Sequence, residues 1–348
     1  MSAVALAEAT APPERRGVAR DLVRLLVGRG DGTLMHRRMR DLPRLLDPGD
    51  LLVVNTSATL PAALAAVAPG GRPLRLHLSM PLPGSEPDER LWTVELRIPA
   101  GPGTLPFAAA RRGWRLALPG GGSARLLRGG PRLWTARLDL PVGLYEHLEA
   151  HGRPIRYAYA GADWPISDYQ TVFATQPGSA EMPSAGRAFT PELVTALVAA
   201  GVEFAPIVLH TGVSSPETGE PPFPEPYSVP EPTARHVNAV RAAGGRVIAV
   251  GTTAVRALET AAAGGPVVAA AQGWTELVID EARGAGVVDG LLTGWHAPEA
   301  THLDLVRAIA GRELTERCYA AAATHGYLWH EFGDLNLLLP SAAAGAAR

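Results

Sequence analysis

The sequence contains no lysine, so all 32 of its basic side chains are arginine. That removes Schiff-base chemistry, lysine general bases and a P-loop lysine from the reactions open to the chain. Cysteine is nearly absent too: Cys318 stands alone, which excludes an internal disulfide and any multi-thiolate zinc site. It falls in a helical pattern around Glu313 to Ala323, where a small buried apolar side chain is the expectation. No apolar run approaches the ~20 residues that a membrane span requires. The N-terminus lacks a basic stretch ahead of an apolar core, so a secretory signal is not expected. A cytoplasmic protein with no membrane partner follows as the expectation. A charge excess is missing as well: the formal net charge is −2, which gives no electrostatic argument for nucleic acid, although a local arginine patch is compatible with it. What is present is an ordinary globular balance, 47% apolar and 19% charged over 348 residues, long enough for two or three cores.

The texture changes along the chain. After a mixed stretch from Arg20, a Pro48-Gly49-Asp50 turn leads into the strand-like run Leu51 to Val54. Between Leu64 and Leu140 short alternating runs appear at Leu74 to Leu78, Leu91 to Ile98, Trp114 to Leu118 and Leu133 to Leu140, separated by Gly/Pro clusters. Such spacing indicates a small all-β unit, with a barrel as the expectation. Beyond Leu144 helices and apolar strands alternate. Thr190-Pro191-Glu192 reads as a helix start, with a Thr cap, Pro at the first position and an acid in the first turn. Gly201 suits a left-handed cap before the strand Phe204 to Leu209. Helices follow over Thr233 to Ala243 and Thr253 to Ala263, with the strand Arg246 to Val250 between them. The expected architecture is a large mixed α/β domain, mostly parallel, with an inserted small all-β barrel-like domain. Its parts are a mobile tail at 1–18, the discontinuous α/β domain at 19–63 and 145–340, the barrel at 64–144, and a tail at 341–348.

Three segments carry chemistry-bearing residues where α/β ligands bind, at the carboxyl ends of strands. The first is Arg246-Val247-Ile248-Ala249-Val250-Gly251-Thr252-Thr253, a buried strand ending in glycine with two threonines where a helix begins. Such a helix N-terminus suits a ligand carboxylate, and the threonines either cap the helix or touch the ligand. The G-x-G-x-x-G spacing of a dinucleotide site is absent. The second is Leu209-His210-Thr211-Gly212, whose histidine is as compatible with structure as with function. It is followed by a proline-rich loop from Ser214 to Pro232 that includes Glu225 and Tyr227. A rigid loop of that length suits a cover over a site, and Glu225 and Tyr227 are either polar site groups or a solvated face. The third is Gly294-Trp295-His296, suited to stacking on an aromatic ligand or to plugging a core edge. His210, His296 and His302 lack metal-ligand spacing, and no zinc signature or G-x-S-x-G elbow occurs.

Taken in order, these blocks resemble the S-adenosylmethionine:tRNA ribosyltransferase-isomerase family of queuosine biosynthesis. The resemblance runs through Pro48-Gly49-Asp50-Leu51-Leu52-Val53-Val54-Asn55, Asp168-Tyr169-Gln170-Thr171-Val172-Phe173-Ala174, Pro183-Ser184-Ala185-Gly186, Leu209-His210 and Gly212. It is most specific over Gly244 to Glu259 and continues through His296-Ala297-Pro298, Gly311-Arg312-Glu313 and Gly333-Asp334. It covers about residues 20–340, the β insert matching in position and texture only. The resemblance implies that S-adenosylmethionine serves as a ribosyl donor. Its ribose part is transferred to the aminomethyl group of a 7-deazaguanine base in tRNA and isomerised, giving epoxyqueuosine, while adenine and methionine leave. No metal and no further cofactor is implied. Carried onto this sequence, His210, Glu225 and His296 are the catalytic candidates. Gly251, Thr252, Thr253, Arg256 and Glu259, with Gly212, form the donor cradle, and Asn55, Tyr169, Gln170, Ser184, Gly186, Tyr227 and Trp295 add pocket wall.

The chain departs from the family pattern at polar positions. Asn-Asp-Thr-Arg reads Asn55-Thr56-Ser57-Ala58, an arginine becomes Ala63, Leu-His-Phe-Thr reads Arg187-Ala188-Phe189-Thr190, and Asn-Phe-His reads Gly294-Trp295-His296. Two further readings therefore stand beside the tRNA reaction: an S-adenosylmethionine-consuming enzyme with a small-molecule acceptor, and a non-catalytic nucleotide-binding protein.

Overall fold

The computed structural model describes residues 6–84, 90–101, 103–157, 161–213, 223–296 and 301–340. Two cores organise it. A six-stranded closed barrel runs in the order Leu133–Asp139, Ser123–Gly129, Arg115–Ala117, Ala63–Val67, Pro73–Pro81, Leu91–Ala100 and back to Leu133–Asp139, with Gly103–Pro106 as a hairpin on Leu91–Ala100. Its period-two pattern fills the interior: Leu74, Leu76 and Leu78 from one strand meet Val94, Leu96, Leu126, Ala136 and Leu138 from others, all buried. Closure removes the sheet edges that so short a β unit would otherwise leave unpaired.

The second core is built around a nine-stranded sheet. Its order is Ala271–Thr275, Glu225–Val229, Glu203–Leu209, Leu51–Asn55, Val247–Val250, Gly290–Gly294, Leu335–Leu339, Arg24–Arg29, Leu34–Arg38. The four central strands from Glu203–Leu209 to Gly290–Gly294 are mutually parallel, while both flanks bring antiparallel pairs. The sheet is therefore mixed, and less parallel than expected: Arg24–Arg29 and Leu34–Arg38 form a short hairpin, while the other antiparallel partners return after longer connections. The central strands read as continuous apolar runs because both faces are covered. Leu51 and Val53 pack into the core under the helices Glu231–Ala242, Thr252–Ala261 and Arg312–Thr324, and Leu52 and Val54 pack the other way, against Pro191–Ala199.

Local signals act as the sequence suggests at several points. Thr190 Oγ1 accepts the Leu193 amide at 3.1 Å to start the Pro191–Ala199 helix, and Gly201 closes its end at φ 83°. Cys318 is fully buried, and a Cβ on Gly28 would sit 2.6 Å from its sulfur, so that glycine lets the Arg312–Thr324 helix lie close on the sheet. Part of the proline-rich segment differs from its reading as a loop. Residues 214–222 lie outside the described residues, but Glu225–Val229 is a strand paired with both Glu203–Leu209 and Ala271–Thr275. The N-terminal stretch differs as well. Where a mobile tail over 1–18 was the expectation, residues 7–18 are tied down: Ala7–Glu8 pairs with Leu328–Trp329, Ala9 is buried, and Glu14 bonds both Arg20 at 2.7 Å and Arg187 at 2.9 Å. The tail at 341–348 and residues 297 and 298 of the His296-Ala297-Pro298 block lie outside the described residues.

One buried carboxylate fixes how the chain enters the Gly290–Gly294 strand. Glu259, 1% exposed, accepts the amides of Gly286 and Val287 at 2.9 Å and that of Val288 at 3.3 Å. It is thus an anchor for the 286–288 turn, supported by Arg283 at 3.6 Å. Glu259→Gln turns an acceptor oxygen into an N–H group facing those donors. It should lower unfolding free energy by about 1–3 kcal/mol, read from the denaturant midpoint of purified protein.

Candidate active site

The carboxyl ends of the four central strands meet at one place, and Asn55 joins three of them. Its Nδ2 donates to Leu209 O at 2.8 Å and to Thr253 Oγ1 at 3.3 Å, and its Oδ1 accepts the amides of Leu209 and Ser57, each at 3.1 Å. A 4% exposed carboxamide thus uses both ends and fixes the separation of Leu51–Asn55, Glu203–Leu209 and the Thr252–Ala261 helix. Gly251 precedes that helix at φ 90°, where a side chain would be strained, and an added Cβ would lie 3.3 Å from Ala185. Among the described residues no side chain caps the helix. Thr252 occupies its first turn rather than the capping position, so the N-terminal amides face the strand ends without a protein oxyanion or hydroxyl of their own.

His210 leaves the end of Glu203–Leu209, and its Nδ1 lies 2.7 Å from Ser57 Oγ. Ser57 Oγ lies 2.6 Å from Ser179 Oγ, which accepts the Thr211 amide at 3.0 Å. In the tautomer with its proton on Nδ1 the ring donates to Ser57 Oγ, and Nε2 is the nitrogen left to accept a proton. Burial holds the ring below the usual histidine range, so it is neutral at pH 7 and able to accept a proton. Gly178 packs against the ring, and a Cβ there would overlap the imidazole.

Glu225, on its strand, accepts the Gly212 amide at 3.0 Å and pairs with Arg256. Burial pushes the Glu225 carboxyl up, while Arg256 and the Gly212 amide pull it back. Arg256 also donates to Leu277 O at 3.1 Å and Thr275 O at 3.2 Å, so its fork is committed within the fold. The pair holds the Gly212 turn in place, and Gly212 itself packs against Ser79 and Met80 of the barrel.

At the next strand end His296 Nε2 lies 3.0 Å from Thr293 Oγ1, and its ring stacks on His302 with centroids 5.1 Å apart. Burial takes His296 down to about 3 and His302 to about 4, so both are neutral bases. Trp295 turns away into the main core, 3% exposed and packed edge-on against Tyr319 and Tyr327, so it plugs a core edge and forms no pocket wall.

The remaining candidates divide. Gln170 acts as a backbone mimic, accepting Thr59 N at 3.0 Å and donating to Thr59 O at 2.8 Å. Tyr169 is buried edge-on against Phe332, and its hydroxyl has no partner among the described residues. Ser184 starts the turn to the buried Gly186 and lines a cavity with Arg187, Gly294, His330 and Glu331. Tyr227 lies opposite Leu209, half-buried against the core. The structure thus brings Asn55, His210, Gly212, Glu225, Gly251, Thr252, Thr253 and Arg256 to one edge, with His296 beside them. Glu259, Trp295 and Gln170 serve the fold instead. Sequence reasoning passed over Ser57 and Ser179 as site groups, since a serine network between segments more than a hundred residues apart leaves no local signal. Among the described residues, no group of three or more His, Cys, Asp or Glu side chains is placed to hold a metal ion, and no helix is long and apolar enough to cross a membrane.

Known proteins resemble this chain over nearly its whole length. The sequence model of the family described as Queuosine biosynthesis protein matches residues 5–338. The S-adenosylmethionine:tRNA ribosyltransferase-isomerase of Thermus thermophilus is 39% identical over 345 residues, covering 94% of this chain and 97% of the relative. The enzyme of the same name from Acidithiobacillus ferrooxidans is 38% identical over 346 residues, covering 96% and 95%. The crystal structure of an S-adenosylmethionine tRNA ribosyltransferase from Thermotoga maritima aligns with a TM-score of 0.51 at 30% identity, over 95% of this chain and 96% of that one. A match of that extent, on a barrel joined to a mixed α/β sheet whose strand ends converge as described, means that the chain belongs to the queuosine biosynthesis protein family.

Proposed function

We propose that the chain is an S-adenosylmethionine:tRNA ribosyltransferase-isomerase. It transfers the ribosyl part of S-adenosylmethionine to a 7-aminomethyl-7-deazaguanine base in tRNA and isomerises it, releasing adenine and methionine. The observation that carries this reading is the uncapped N-terminus of the Thr252–Ala261 helix beside a neutral His210, at the junction held by Asn55. The methionine carboxylate is an anion, and a helix N-terminus without a capping side chain offers amides and a favourable dipole to it. The sulfonium acidifies the C5′ protons, and a neutral imidazole with its Nδ1 engaged by Ser57 is a suitable base to remove one. Glu225 and Arg256 act by positioning Gly212 and the strand edge. S-adenosylmethionine is consumed as substrate, and the reaction as written calls for no metal or further cofactor. A tRNA acceptor places the work in the cytoplasm.

The altered Asn55-Thr56-Ser57 segment is built into the His210 surroundings. Ser57, where the family pattern is more polar around it, is satisfied by His210 and Ser179 and leaves no buried group unpaired. Arg37, Arg38, Arg111 and Arg112 are exposed and available to phosphates.

The test is mass spectrometry of S-adenosylmethionine incubated with the protein, alone and with tRNA carrying the aminomethyl base. Adenine and methionine release that requires the tRNA, with the matching mass gain on the nucleoside, is expected. Release without tRNA, or none with it, would overturn the reading in favour of a small-molecule acceptor or a binder. His210→Gln should lower kcat by roughly 10²-fold or more. Because burial lowers the histidine, the wild type should lose kcat only below the ordinary histidine range as pH falls. An unchanged kcat in the variant would exclude His210 as the base. Binding of tRNA should weaken steeply between low and physiological salt, and double replacement Arg111→Ala, Arg112→Ala should flatten the log–log salt slope. A slope indifferent to both arginines would remove them from the phosphate path.

A further inference from the structure

One outer face of the barrel carries charge of a single sign. Arg115, Arg125 and Arg137 stand directly opposite one another across three neighbouring antiparallel strands, Arg115–Ala117, Ser123–Gly129 and Leu133–Asp139. All three are exposed, because the alternate positions Leu116, Leu126 and Leu138 fill the interior. Strands in a sheet lie about 4.8 Å apart, so the row spans about 10 Å between its outer Cα atoms. Past the bulge that follows Leu126, Arg128 is exposed opposite Thr135 on the same face. Arg111 and Arg112, exposed as well, occupy the turn before Arg115, which the Gly113 amide fastens to the Leu126 carbonyl at 2.8 Å.

Counter-charge is scarce on this face. Among the described residues Asp139 is the one carboxylate paired with any of these six arginines, in an exposed bridge to Arg115 at 3.1 Å. Elsewhere the chain matches arginines to acids, as in Arg24 with Asp334, Arg246 with Asp50 and Arg312 with Glu281. The sequence holds 34 acids for 32 arginines, so composition does not impose the imbalance. Like charges directly opposite in antiparallel strands are destabilising, and a face kept in that state suits a partner that supplies the missing negative charge. The same strands lead to the active-site edge. Arg132, at their hairpin, lies 5.7 Å over the centroid of the Phe223 ring, and Phe223 O accepts from Arg256 at 3.5 Å. Arg137 is five positions along the strand from Arg132, about 17 Å of extended chain.

We propose that this arginine face of the barrel is the docking surface for the tRNA phosphate backbone, an inference that rests on the transfer to tRNA set out above. RNA presents a regular line of negative charges, and a guanidinium grips a phosphate through two parallel N–H donors. Arg115, Arg125 and Arg137 form the central phosphate-binding row, and Arg111, Arg112 and Arg128 extend it toward the hairpin on Phe223. Contacts of this kind fix where the polymer lies and carry no sequence information. Choice of the reacting base then falls to the strand ends around His210. The net charge of −2 does not oppose such docking. Screening confines the field to about 8 Å at physiological salt, so the local excess of guanidinium groups governs the contact.

The experiment measures tRNA affinity of the full chain by fluorescence anisotropy at several salt concentrations, for tRNA with and without the aminomethyl base. It compares the wild type with the triple variant Arg115→Ala, Arg125→Ala, Arg137→Ala and with the double variant Arg37→Ala, Arg38→Ala on the far edge of the nine-stranded sheet. The triple variant should bind tRNA roughly tenfold more weakly or worse and lower the log–log salt slope by about three, near one per phosphate contact. The loss should be equal for the two tRNAs and should appear in KM for tRNA rather than in kcat. Its melting temperature should match or exceed that of the wild type, because facing like charges are removed. If the triple variant is less stable, Arg125→Gln with Arg137→Gln decides the matter, with a slope lowered by about two. Unchanged affinity and slope in these barrel variants, a larger loss in the Arg37 and Arg38 variant, or a loss confined to tRNA with the aminomethyl base overturns the proposal and leaves the transfer reading standing. A wild type that neither binds nor modifies tRNA overturns the transfer reading, and the proposal falls with it.

Discussion

The site depends on the bonds of one buried carboxamide. Asn55 ends a strand whose backbone is paired with neighbours on both sides, so its side chain can reach only what those neighbours present. It accepts the Leu209 amide, donates to the Leu209 carbonyl and donates to Thr253. Both ends of the amide are used, and a carboxylate or hydroxyl at this position could not supply the same pattern of donors and acceptors. Once Leu209 and Thr253 are fixed, His210 and the Thr252–Ala261 helix start are fixed with them. The base and the anion-binding amides of the proposed reaction are therefore set by the same residue.

Around this junction the chain keeps its ionisable groups in opposite states by simple means. Histidines buried among apolar strand ends remain neutral, because desolvation disfavours the imidazolium. Glu225 is buried as well, but Arg256 and a backbone amide offset the penalty. Glu331 faces a second carboxyl, and Arg187 offsets its burial only in part. Absence of lysine sharpens the division, since the cations present are guanidinium groups, and those nearest the site are held in forks by backbone carbonyls and carboxylates. The barrel contributes by packing: Ser79 accepts the Val213 amide at 3.1 Å, which ties the turn after His210 to the inserted unit.

The fold was legible to the extent that its signals were local. Gly/Pro-punctuated alternation marked the strands of the barrel, and Thr190-Pro191-Glu192 marked a helix start that the structure shows with its cap in place. The family pattern over Gly244 to Glu259 likewise led to the strand end at Gly251. Individual roles were harder to read. Glu259 lies on the same helix as Thr253, yet it points to the 286–288 turn because the helix carries it past the strand edge. Trp295 precedes His296 by one residue, and the two side chains go to opposite faces of the chain end, one into the core and one to Thr293 and His302.

What the sequence by itself determined is the set of elements and the family: hydrophobic periodicity, turn residues and ordered motifs are written in neighbouring positions and need no knowledge of distant ones. Which polar residues form the site was decided by the tertiary structure alone. Ser57, Ser179 and His210 are joined by hydrogen bonds across 122 and 153 positions of chain. Glu331 meets the Ser184 turn only because the Leu335–Leu339 strand returns antiparallel beside Gly290–Gly294. Burial, which sets the protonation state of each of these groups, is a property of the packed whole and has no representation in any short stretch of sequence.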